Sequence, residues 1–346
     1  MPEFDPDNLN RLKIGVVGAG SWGTAIANLL ALKGYPIDLW VYEPEVRDHI
    51  ETEHENNVFL PGVRLSDNLK PSTDLQAVVT DKDLLMMVVP SHVMRTTAAA
   101  MGGYVSPETI LVSASKGIEN NTFLTMTGVL RQVLPDIPSD HFCVMSGPSF
   151  AREVSQGVPT VVTVAADNLD IAGLVQHAMA TAYFRVYTHD DILGVELGGS
   201  VKNVIAIAAG MLDGLGLGLN SRAALITRGQ TEIRRLGVAL GANPRTFTGL
   251  AGIGDLILTC TGTLSRNHTV GKKIGEGKKL KEILDEMQMV AEGVKTAKSV
   301  YNLSRKFDVD MPIAHEVYRI LYEDLSPKDA VYRLMTRDLK QELDEE

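Results

Sequence analysis

Short apolar runs alternate with more polar, helix-like stretches over the first half of the chain. Runs this apolar are typical of strands that are covered on both faces, as in a parallel α/β sheet. Between them, stretches such as residues 91–102 carry the spacing of a helix. The strand-like runs lie at residues 14–17, 37–42, 83–89, 109–113, 142–145, 158–166 and 184–187.

The pattern changes near residue 190, after which no strand-like run follows. The apolar spacing there predicts helices at residues 195–212, 223–240, 279–288, 295–307, 313–322 and 327–335. We therefore predict an α/β domain of the Rossmann type, with a doubly wound sheet, in residues 1–190. An all-α domain is predicted in residues 191–346.

The first predicted strand leads into a glycine turn, Gly18-Ala-Gly-Ser-Trp-Gly23, and then into a helix rich in Ala and Leu. In a dinucleotide site Gly18 would make the tight turn, Gly20 would let the backbone approach the pyrophosphate, and Gly23 would let helix and strand pack closely. A purely structural turn is the alternative. Glu43 closes the second predicted strand, where a carboxylate can face a ribose hydroxyl of the cofactor.

Composition narrows the class of protein. The 346 residues carry 33 basic and 43 acidic side chains, a formal net charge of −10, which argues against nucleic-acid binding. We predict that the two cysteines are free thiols. The eight histidines show no metal-ligand spacing, so no metal site is predicted. The beginning of the chain lacks the pattern of a signal peptide, and the longest apolar run, residues 204–212, is short for a membrane span. We expect a cytoplasmic protein without membrane insertion.

Two polar clusters directly follow predicted strands, where ligands of open α/β sheets bind. The first is Ser115-Lys116-Gly117, and its lysine would point into the crevice unless it is an ordinary solvated loop residue. The second is Ser146-Gly-Pro-Ser149, which would present a hydroxyl and backbone N–H groups unless it is a plain turn.

Two further clusters lie in the helical half. Lys202 stands inside an otherwise small and apolar helix, and an ammonium group buried there needs a partner or a lowered pKa, as a general acid or base would have. A snorkelling lysine is the alternative. Asp255 follows a glycine-rich turn and could orient a lysine or hydroxyl. Ser265-Arg266-Asn267 resembles the N-cap and first turn of a helix, which suits a phosphate, with a charged loop as the alternative.

Together these clusters indicate a dehydrogenase. A nicotinamide cofactor would lie across the glycine turn, and a small phosphorylated alcohol or ketone would be held by Arg266 and Asn267. Lys202 would move the proton while hydride passes between the substrate carbon and the nicotinamide.

Eight motifs give the chain a resemblance to the soluble NAD(P)-dependent sn-glycerol-3-phosphate dehydrogenases, over residues 12–335. They occur in family order and at family-like spacing. The motifs are Gly18-Ala-Gly-Ser-Trp-Gly23, Asn57-Val-Phe-Leu-Pro-Gly62, Ser115-Lys-Gly117, Ser146-Gly-Pro-Ser-Phe-Ala151, Val201-Lys-Asn203, Gly252-Ile-Gly-Asp255, Ser265-Arg-Asn267 and Glu292-Gly293.

The resemblance implies interconversion of sn-glycerol 3-phosphate and dihydroxyacetone phosphate, which in bacterial members supplies glycerol phosphate for phospholipid synthesis. It implies a Rossmann domain joined to a helical domain like that of 6-phosphogluconate dehydrogenase, with Lys202 as proton acceptor. Positions implied to contact the substrate are Lys116, Gly147, Ser149, Lys202, Asp255, Ser265, Arg266 and Asn267. Positions implied to contact the cofactor are Ser21, Trp22, Lys116, Ala151, Arg266, Val290 and Glu292.

Two alternatives stay open at this point. One is a dehydrogenase of the same two-domain build that acts on a β-hydroxy acid and recognises a carboxylate. The other is a non-catalytic protein that senses a dinucleotide. A homodimer is plausible because the helical domain carries much apolar surface.

One segment departs from the bacterial pattern and predicts a preference for NAD over NADP. Many bacterial members have an arginine soon after the tryptophan that ends the second strand, whereas Trp40 is followed here by Val41, Tyr42 and Glu43. A carboxylate repels a 2′-phosphate and accepts a hydrogen bond from a 2′-hydroxyl, although Arg47 lies close behind. We expect a higher kcat/KM with NAD(H) than with NADP(H). A ratio that favours NADP(H) by about tenfold, or about 1.4 kcal/mol, would contradict this role of Glu43.

Overall fold

The structure is a computed structural model that describes residues 12–287 and 291–342. The strands of the described residues form one eight-stranded sheet in the order β3-β2-β1-β4-β5-β6-β7-β8. Their bounds are β1 Ile14–Val17, β2 Ile37–Trp40, β3 Leu69–Ser72, β4 Leu84–Met87, β5 Ile110–Ser113, β6 Phe142–Ser146, β7 Thr160–Ala166 and β8 Phe184–His189.

The sheet confirms every predicted strand and adds one, β3. This edge strand was missed because Leu69-Lys-Pro-Ser72 has no apolar run, and its Pro71 is tolerated only at a sheet edge or bulge. The order reverses between β1 and β4, so the carboxyl ends of these strands open a crevice of the kind in which dinucleotides bind.

The prediction of a parallel sheet is wrong at one pair of strands. β6 and β7 pair antiparallel, with Val144 opposite Ala165, and β8 then runs parallel to β7. The connection between β6 and β7 holds only the five-residue helix Ala151–Ser155, which is too short to cover the sheet as a full crossover helix does. An antiparallel pair at one end of a parallel sheet is common in such folds.

Helices cover both faces of the sheet. In chain order they are α1 Ser21–Leu32, α2 Pro44–Glu53, α3 Leu75–Val79, α4 Met94–Met101, α5 Met126–Val133, α6 Ala151–Ser155 and α7 Leu169–Met179. A 3₁₀ turn, Ser91–Val93, precedes α4, so the helical spacing predicted over 91–102 is confirmed.

After β8 the described residues form helices without further strands. These are α8 Ile192–Gly214, α9 Leu219–Ala239, α10 Asp255–Thr261, α11 Arg266–Gly275, α12 Leu280–Asp285, α13 Glu292–Lys306, α14 Pro312–Tyr322 and α15 Pro327–Met335. The six predicted helices are confirmed with shifted ends, residue 288 of the third lying outside the described residues. The sequence predicts only the first turn of α11 and does not predict α10, because the glycines around these helices obscure the helical spacing.

The central element of the helical part is α8. Near its start Val195 packs with Val144 of the sheet, and its later turns lie in the core formed by the other helices. By length and composition this 23-residue helix could cross a membrane, but 94% of its most apolar window is buried inside the protein. This burial identifies α8 as a core helix of the fold.

Helix α11 packs backbone to backbone on α8. A Cβ added at Gly210 of α8 would lie 2.0 Å from the His268 carbonyl oxygen, and one added at Gly271 of α11 would lie 1.9 Å from the Ile207 carbonyl oxygen. Any side chain at either position would therefore force the helices apart. The glycines fix how closely the beginning of α11 approaches the middle of α8.

Two buried carboxylates cap helices of other parts of the chain. Glu196 of α8 accepts hydrogen bonds from the backbone N–H and hydroxyl of Thr127, which ties α8 to the first turn of α5. Glu232 of α9 accepts from the N–H groups of Ile313 and Ala314, at 2.7 and 3.0 Å, at the start of α14. Burial raises the pKa of both carboxyl groups, that of Glu232 to about 8.

The glycine turn between β1 and α1 has the geometry that its spacing predicts. Gly18 has a φ of +115°, and a Cβ added at Gly23 would lie 1.9 Å from the Gly18 carbonyl oxygen. A Cβ at Gly20, in contrast, would have no heavy atom of the described residues within 4 Å. The buried side chain of Asn56 holds the turn by donating to the Ala19 carbonyl oxygen at 2.9 Å.

The two outer glycines of this turn and the middle one should respond differently to the same added methyl group. Gly23→Ala should lower the melting temperature because its Cβ collides with the backbone, at a cost of about 1–3 kcal/mol or more. Gly20→Ala should leave the melting temperature unchanged and weaken NADH binding, since the methyl group occupies the space through which a pyrophosphate approaches. Circular dichroism and NADH fluorescence titration measure the two effects. Unimpaired NADH binding by Gly20→Ala would contradict a dinucleotide site here.

Candidate active site

Four segments that are far apart in the sequence meet beside the carboxyl ends of β5 and β6. Lys116 comes from the loop after β5, Ser146 ends β6, Lys202 lies in the middle of α8, and Asp255 begins α10. A Cβ added at Gly199 of α8 would lie 2.5 Å from the Ser146 hydroxyl and 3.7 Å from the Lys116 side chain. The absence of a side chain at this position therefore lets α8 approach both strand ends.

Lys202 is buried, with only 5% of the residue exposed. Its ammonium group forms an ion pair with Asp255 Oδ1 and donates to Thr259 Oγ1 at 2.7 Å. The Thr259 hydroxyl in turn donates to the Asp255 carbonyl oxygen at 2.6 Å, so its lone pairs face the lysine. Lys202 is thus held inside the protein by fixed partners, which excludes the snorkelling alternative.

Asp255 is the carboxylate that two lysines share. Only 1% of it is exposed, and its Oδ2 accepts a hydrogen bond from Lys116 Nζ at 2.8 Å while its Oδ1 faces Lys202. The kinked turn Leu250–Gly254, in which Gly252 has the non-helical angles φ −93° and ψ −105°, leads directly into Asp255. This turn lies directly on α8, where a Cβ at Gly198 would be 2.6 Å from the Ala251 carbonyl oxygen.

The charges of this cluster shift the proton affinity of the buried lysine. Burial lowers the pKa of Lys202 to about 7; the Asp255 carboxylate opposes the shift and the Lys116 ammonium adds to it. Burial alone would raise the pKa of Asp255, but the two ammonium groups outweigh it and hold that pKa below its usual value. Near neutral pH Lys202 can therefore both give and accept a proton.

The predicted first turn of a helix at residues 265–267 is confirmed. Ser265 is the N-cap of α11, and its hydroxyl accepts a hydrogen bond from the His268 N–H at 3.2 Å. The N–H groups of Arg266 and Asn267 have no acceptor within the helix because they belong to its first turn. These groups and the positive end of the helix dipole form a place for an anion.

The side chains of this turn are also available to an anion. Arg266 is an exposed residue, and its guanidinium makes no hydrogen bond or ion pair with the described residues, although the Glu292 carboxylate attracts its charge. Asn267 Oδ1 accepts from the Gly293 N–H at 2.9 Å, which leaves the amide N–H groups of Asn267 as donors. Residues 265–267 thus form the start of a helix and not a loop, and their binding of a phosphate stays a prediction.

The segment after β6 forms a tight turn at the edge of the crevice. Gly147 has a φ of +143°, and a Cβ there would lie 2.9 Å from Val162 Cα of the neighbouring β7. The Ser149 hydroxyl donates to the Gly147 carbonyl oxygen at 3.0 Å, and Ala151 begins α6. The buried hydroxyl of Ser146 has no hydrogen-bond partner among residues 12–287 and 291–342.

Three residues predicted to contact the cofactor, Ser21, Trp22 and Glu43, lie just beyond the carboxyl ends of β1 and β2. Ser21 and Trp22 begin α1, and the Ser21 hydroxyl donates to the Phe59 carbonyl oxygen at 2.5 Å, so the loop over residues 57–62 lies against the glycine turn. Glu43 is the N-cap of α2, just beyond the carboxyl end of β2. Arg47 pairs with Asp48 and Glu51, at 2.9 and 3.2 Å.

Glu292 approaches the crevice from the helical part of the chain. It begins α13, and its carboxylate accepts hydrogen bonds from the Ser91 backbone N–H, at 3.0 Å, and from the Ser91 hydroxyl. It therefore joins α13 to the segment that follows β4. Val290, the other residue predicted here to contact the cofactor, lies outside the described residues.

The structure joins Lys116, Lys202 and Asp255 directly, and two residues that the sequence did not reveal, Thr259 and Ser91, contact predicted site residues. Thr259 could have been found because it lies four residues after Asp255, on the same helical face. Ser91 follows a predicted strand and Pro90, but nothing in its sequence neighbourhood distinguishes it from a turn residue. The ligand contacts of the individual residues stay predictions.

Comparisons with known proteins identify the family of this architecture. Residues 13–172 match the family model described as the N-terminus of NAD-dependent glycerol-3-phosphate dehydrogenase, and residues 191–332 match the model of its C-terminus. The chain is 57% identical to glycerol-3-phosphate dehydrogenase [NAD(P)+] of Syntrophobacter fumaroxidans, over 96% of this chain and 97% of the relative. The identity to the protein of the same name from Geobacter metallireducens is 55%, over 95% and 98% of the two chains.

A solved structure agrees with this assignment. The crystal structure of glycerol-3-phosphate dehydrogenase from Coxiella burnetii superposes with a TM-score of 0.90 at 41% identity, over 94% of this chain and 99% of the other. These comparisons confirm the predicted fold class. They also confirm the resemblance to glycerol-3-phosphate dehydrogenases that the eight motifs indicate. The chain belongs to the NAD-dependent glycerol-3-phosphate dehydrogenase family.

Proposed function

We propose that the protein interconverts sn-glycerol 3-phosphate and dihydroxyacetone phosphate by hydride transfer with NAD(P). The observation that carries this proposal is the buried Lys202–Asp255 ion pair, in a fold that also has a dinucleotide-type glycine turn and a helix start at Arg266. Membership of the dehydrogenase family supports the substrate and the cofactor. A role in supplying glycerol phosphate for phospholipid synthesis follows from that activity.

Lys202 is the proposed proton donor and acceptor. When bound, the nicotinamide cofactor donates or accepts the hydride. In the reduction of the ketone, the Lys202 ammonium polarises the carbonyl and transfers a proton to its oxygen as the alcohol forms. In the oxidation of the alcohol, neutral Lys202 takes that proton. A pKa of about 7 lets one residue serve both directions near neutral pH.

The neighbours of Lys202 support this proton transfer in different ways. Asp255 orients the ammonium group and compensates its charge, and Thr259 accepts one of its hydrogen bonds. We propose that Lys116 contacts both substrate and cofactor, because its ammonium lies at the other oxygen of Asp255 and faces the end of β5. Gly147 and Ser149 would border the substrate at the end of β6.

The start of α11 is the proposed phosphate site. Arg266 would supply a guanidinium and Asn267 an amide, in addition to the two free backbone N–H groups of the first turn. The Ser265 hydroxyl is already used as the N-cap, so its contribution is to keep those N–H groups in place. A β-hydroxy acid would have less use for this site, since a carboxylate offers fewer acceptor oxygens than a phosphate.

The cofactor is proposed to extend from the glycine turn toward Lys116. The open space beside Gly20 fits a pyrophosphate, and Glu43 would accept hydrogen bonds from the adenosine ribose of NAD. Both partners of Arg47 are carboxylates, which reduces its ability to attract a 2′-phosphate. Ser21, Trp22, Ala151, Arg266 and Glu292 are the further proposed contacts. A homodimer and a cytoplasmic location stay predictions.

The activity and the role of Lys202 can be tested together. Addition of dihydroxyacetone phosphate to the protein and NADH should decrease the absorbance at the NADH band. Lys202→Met fills the same volume without a titratable group and should lower kcat by about 10²-fold or more, while NADH still binds. Lys70→Met, at an exposed lysine of β3, serves as the control and should behave as wild type.

Three outcomes would contradict the proposal. No loss of NADH at high protein concentration would favour a non-catalytic dinucleotide sensor. Turnover of β-hydroxy acids in preference to dihydroxyacetone phosphate would favour the other class of dehydrogenase. Near-normal kcat of Lys202→Met would leave the activity in place but remove Lys202 from the proton transfer.

A further inference from the structure

A second buried polar cluster lies next to the proposed phosphate site but outside it. His268 Nε2 donates to Asp213 Oδ2 at 2.8 Å, and Arg222 forms an ion pair with the other carboxylate oxygen of Asp213. The side chains of His268 and Asp213 are 11% and 16% exposed. The cluster joins the end of α8, the beginning of α9 and the first turn of α11.

The place of His268 in α11 makes this cluster relevant to the site. His268 directly follows Arg266 and Asn267, and its own N–H is the one that the Ser265 hydroxyl caps. Its carbonyl oxygen lies against α8 at Gly210. The same residue therefore fixes the first turn of α11 through its backbone on one side and through its imidazole on the other.

The first turn of a helix needs such external support. Its N–H groups have no partners within the helix, so the turn frays unless caps or side chains hold it. Here the turn is held by the Ser265 cap, by the hydrogen bond between Asn267 and Gly293, and by His268 on Asp213. A displacement of about 1 Å in groups that hold a substrate can lower a rate by about 10²-fold.

We propose that Asp213 and His268 are positioning residues that hold the first turn of α11 in the orientation in which Arg266 and Asn267 receive the substrate phosphate. This inference rests on the proposed function, because it assigns the phosphate to that turn. The pair acts only on phosphate recognition, since neither side chain contacts Lys202 or its partners in the described structure.

A truncated substrate separates positioning from general stability. Dihydroxyacetone presents the same carbonyl group without the phosphate. His268→Met keeps most of the side-chain volume and removes the donor, whereas His268→Gln keeps an N–H donor near the position of Nε2. The measured quantity is kcat/KM for dihydroxyacetone phosphate divided by kcat/KM for dihydroxyacetone, with NADH saturating.

We expect His268→Met to lower this ratio about tenfold or more, through a raised KM for the phosphorylated ketone, and His268→Gln to restore it to within about threefold of wild type. Lys272→Met, on the exposed side of α11, is the matched control and should leave the ratio unchanged. Asp213→Ala removes the acceptor of this hydrogen bond and should lower the ratio, as His268→Met does. If His268→Met does not fold, Asp213→Ala takes its place in the test.

The outcomes distinguish this inference from the proposed function. An equal fall of kcat/KM for both ketones in His268→Met would assign the pair a structural role only and overturn the inference, as would an unchanged ratio. Failure of His268→Gln to restore the ratio would also overturn it, because the hydrogen bond would then not be the cause. If the wild type reduces neither ketone, the proposed function itself is wrong.

Discussion

The burial of a lysine against a shared carboxylate is the constraint on which the rest of the site depends. An ammonium group inside a protein is unfavourable unless a partner holds it, and the Lys202 ammonium has Asp255 and Thr259 as fixed partners. Because Lys116 donates a hydrogen bond to the other oxygen of Asp255, one carboxylate is shared by two ammonium groups and cannot fully compensate both positive charges. Burial therefore lowers the pKa of Lys202 to about 7, with a smaller contribution from the Lys116 ammonium, and this value suits an acid–base catalyst.

The fold supplies the three parts of this cluster from three directions. Lys202 lies on α8, Asp255 follows the kinked turn before α10, and Lys116 lies in the loop after β5. That loop is anchored in the helical core, where Ile118 packs and its carbonyl oxygen accepts from the Ser299 hydroxyl at 2.8 Å. Sheet and helical part are thus joined at the site itself, so its geometry depends on both.

The sequence alone predicts individual site residues better than the contacts between them. Lys202 and Asp255 could be singled out because each is a charged residue in an apolar or glycine-rich setting, and Arg266 because it follows an N-cap residue. The strands could be predicted because their runs are apolar. The ion pair between Lys116 and Asp255 joins residues 139 positions apart, and no local pattern reports such a contact. Pro71 concealed an edge strand, and the short connection after β6 makes β7 antiparallel to it. Nothing in the sequence near Thr259 or His268 indicates their polar partners, which come from distant segments.

The central claim is that burial lowers the proton affinity of Lys202 in the free protein, and a direct titration of that side chain tests it. Lysines labelled with ¹³C at Cε can be followed by NMR from pH 5 to pH 11, with the Lys202 signal identified by its loss in Lys202→Met. The pKa is lowered from 10.5, so the amine should be largely neutral above a midpoint of about 7 and charged below it. A midpoint of Lys202 near 10.5, equal to that of the exposed lysines, would contradict this claim.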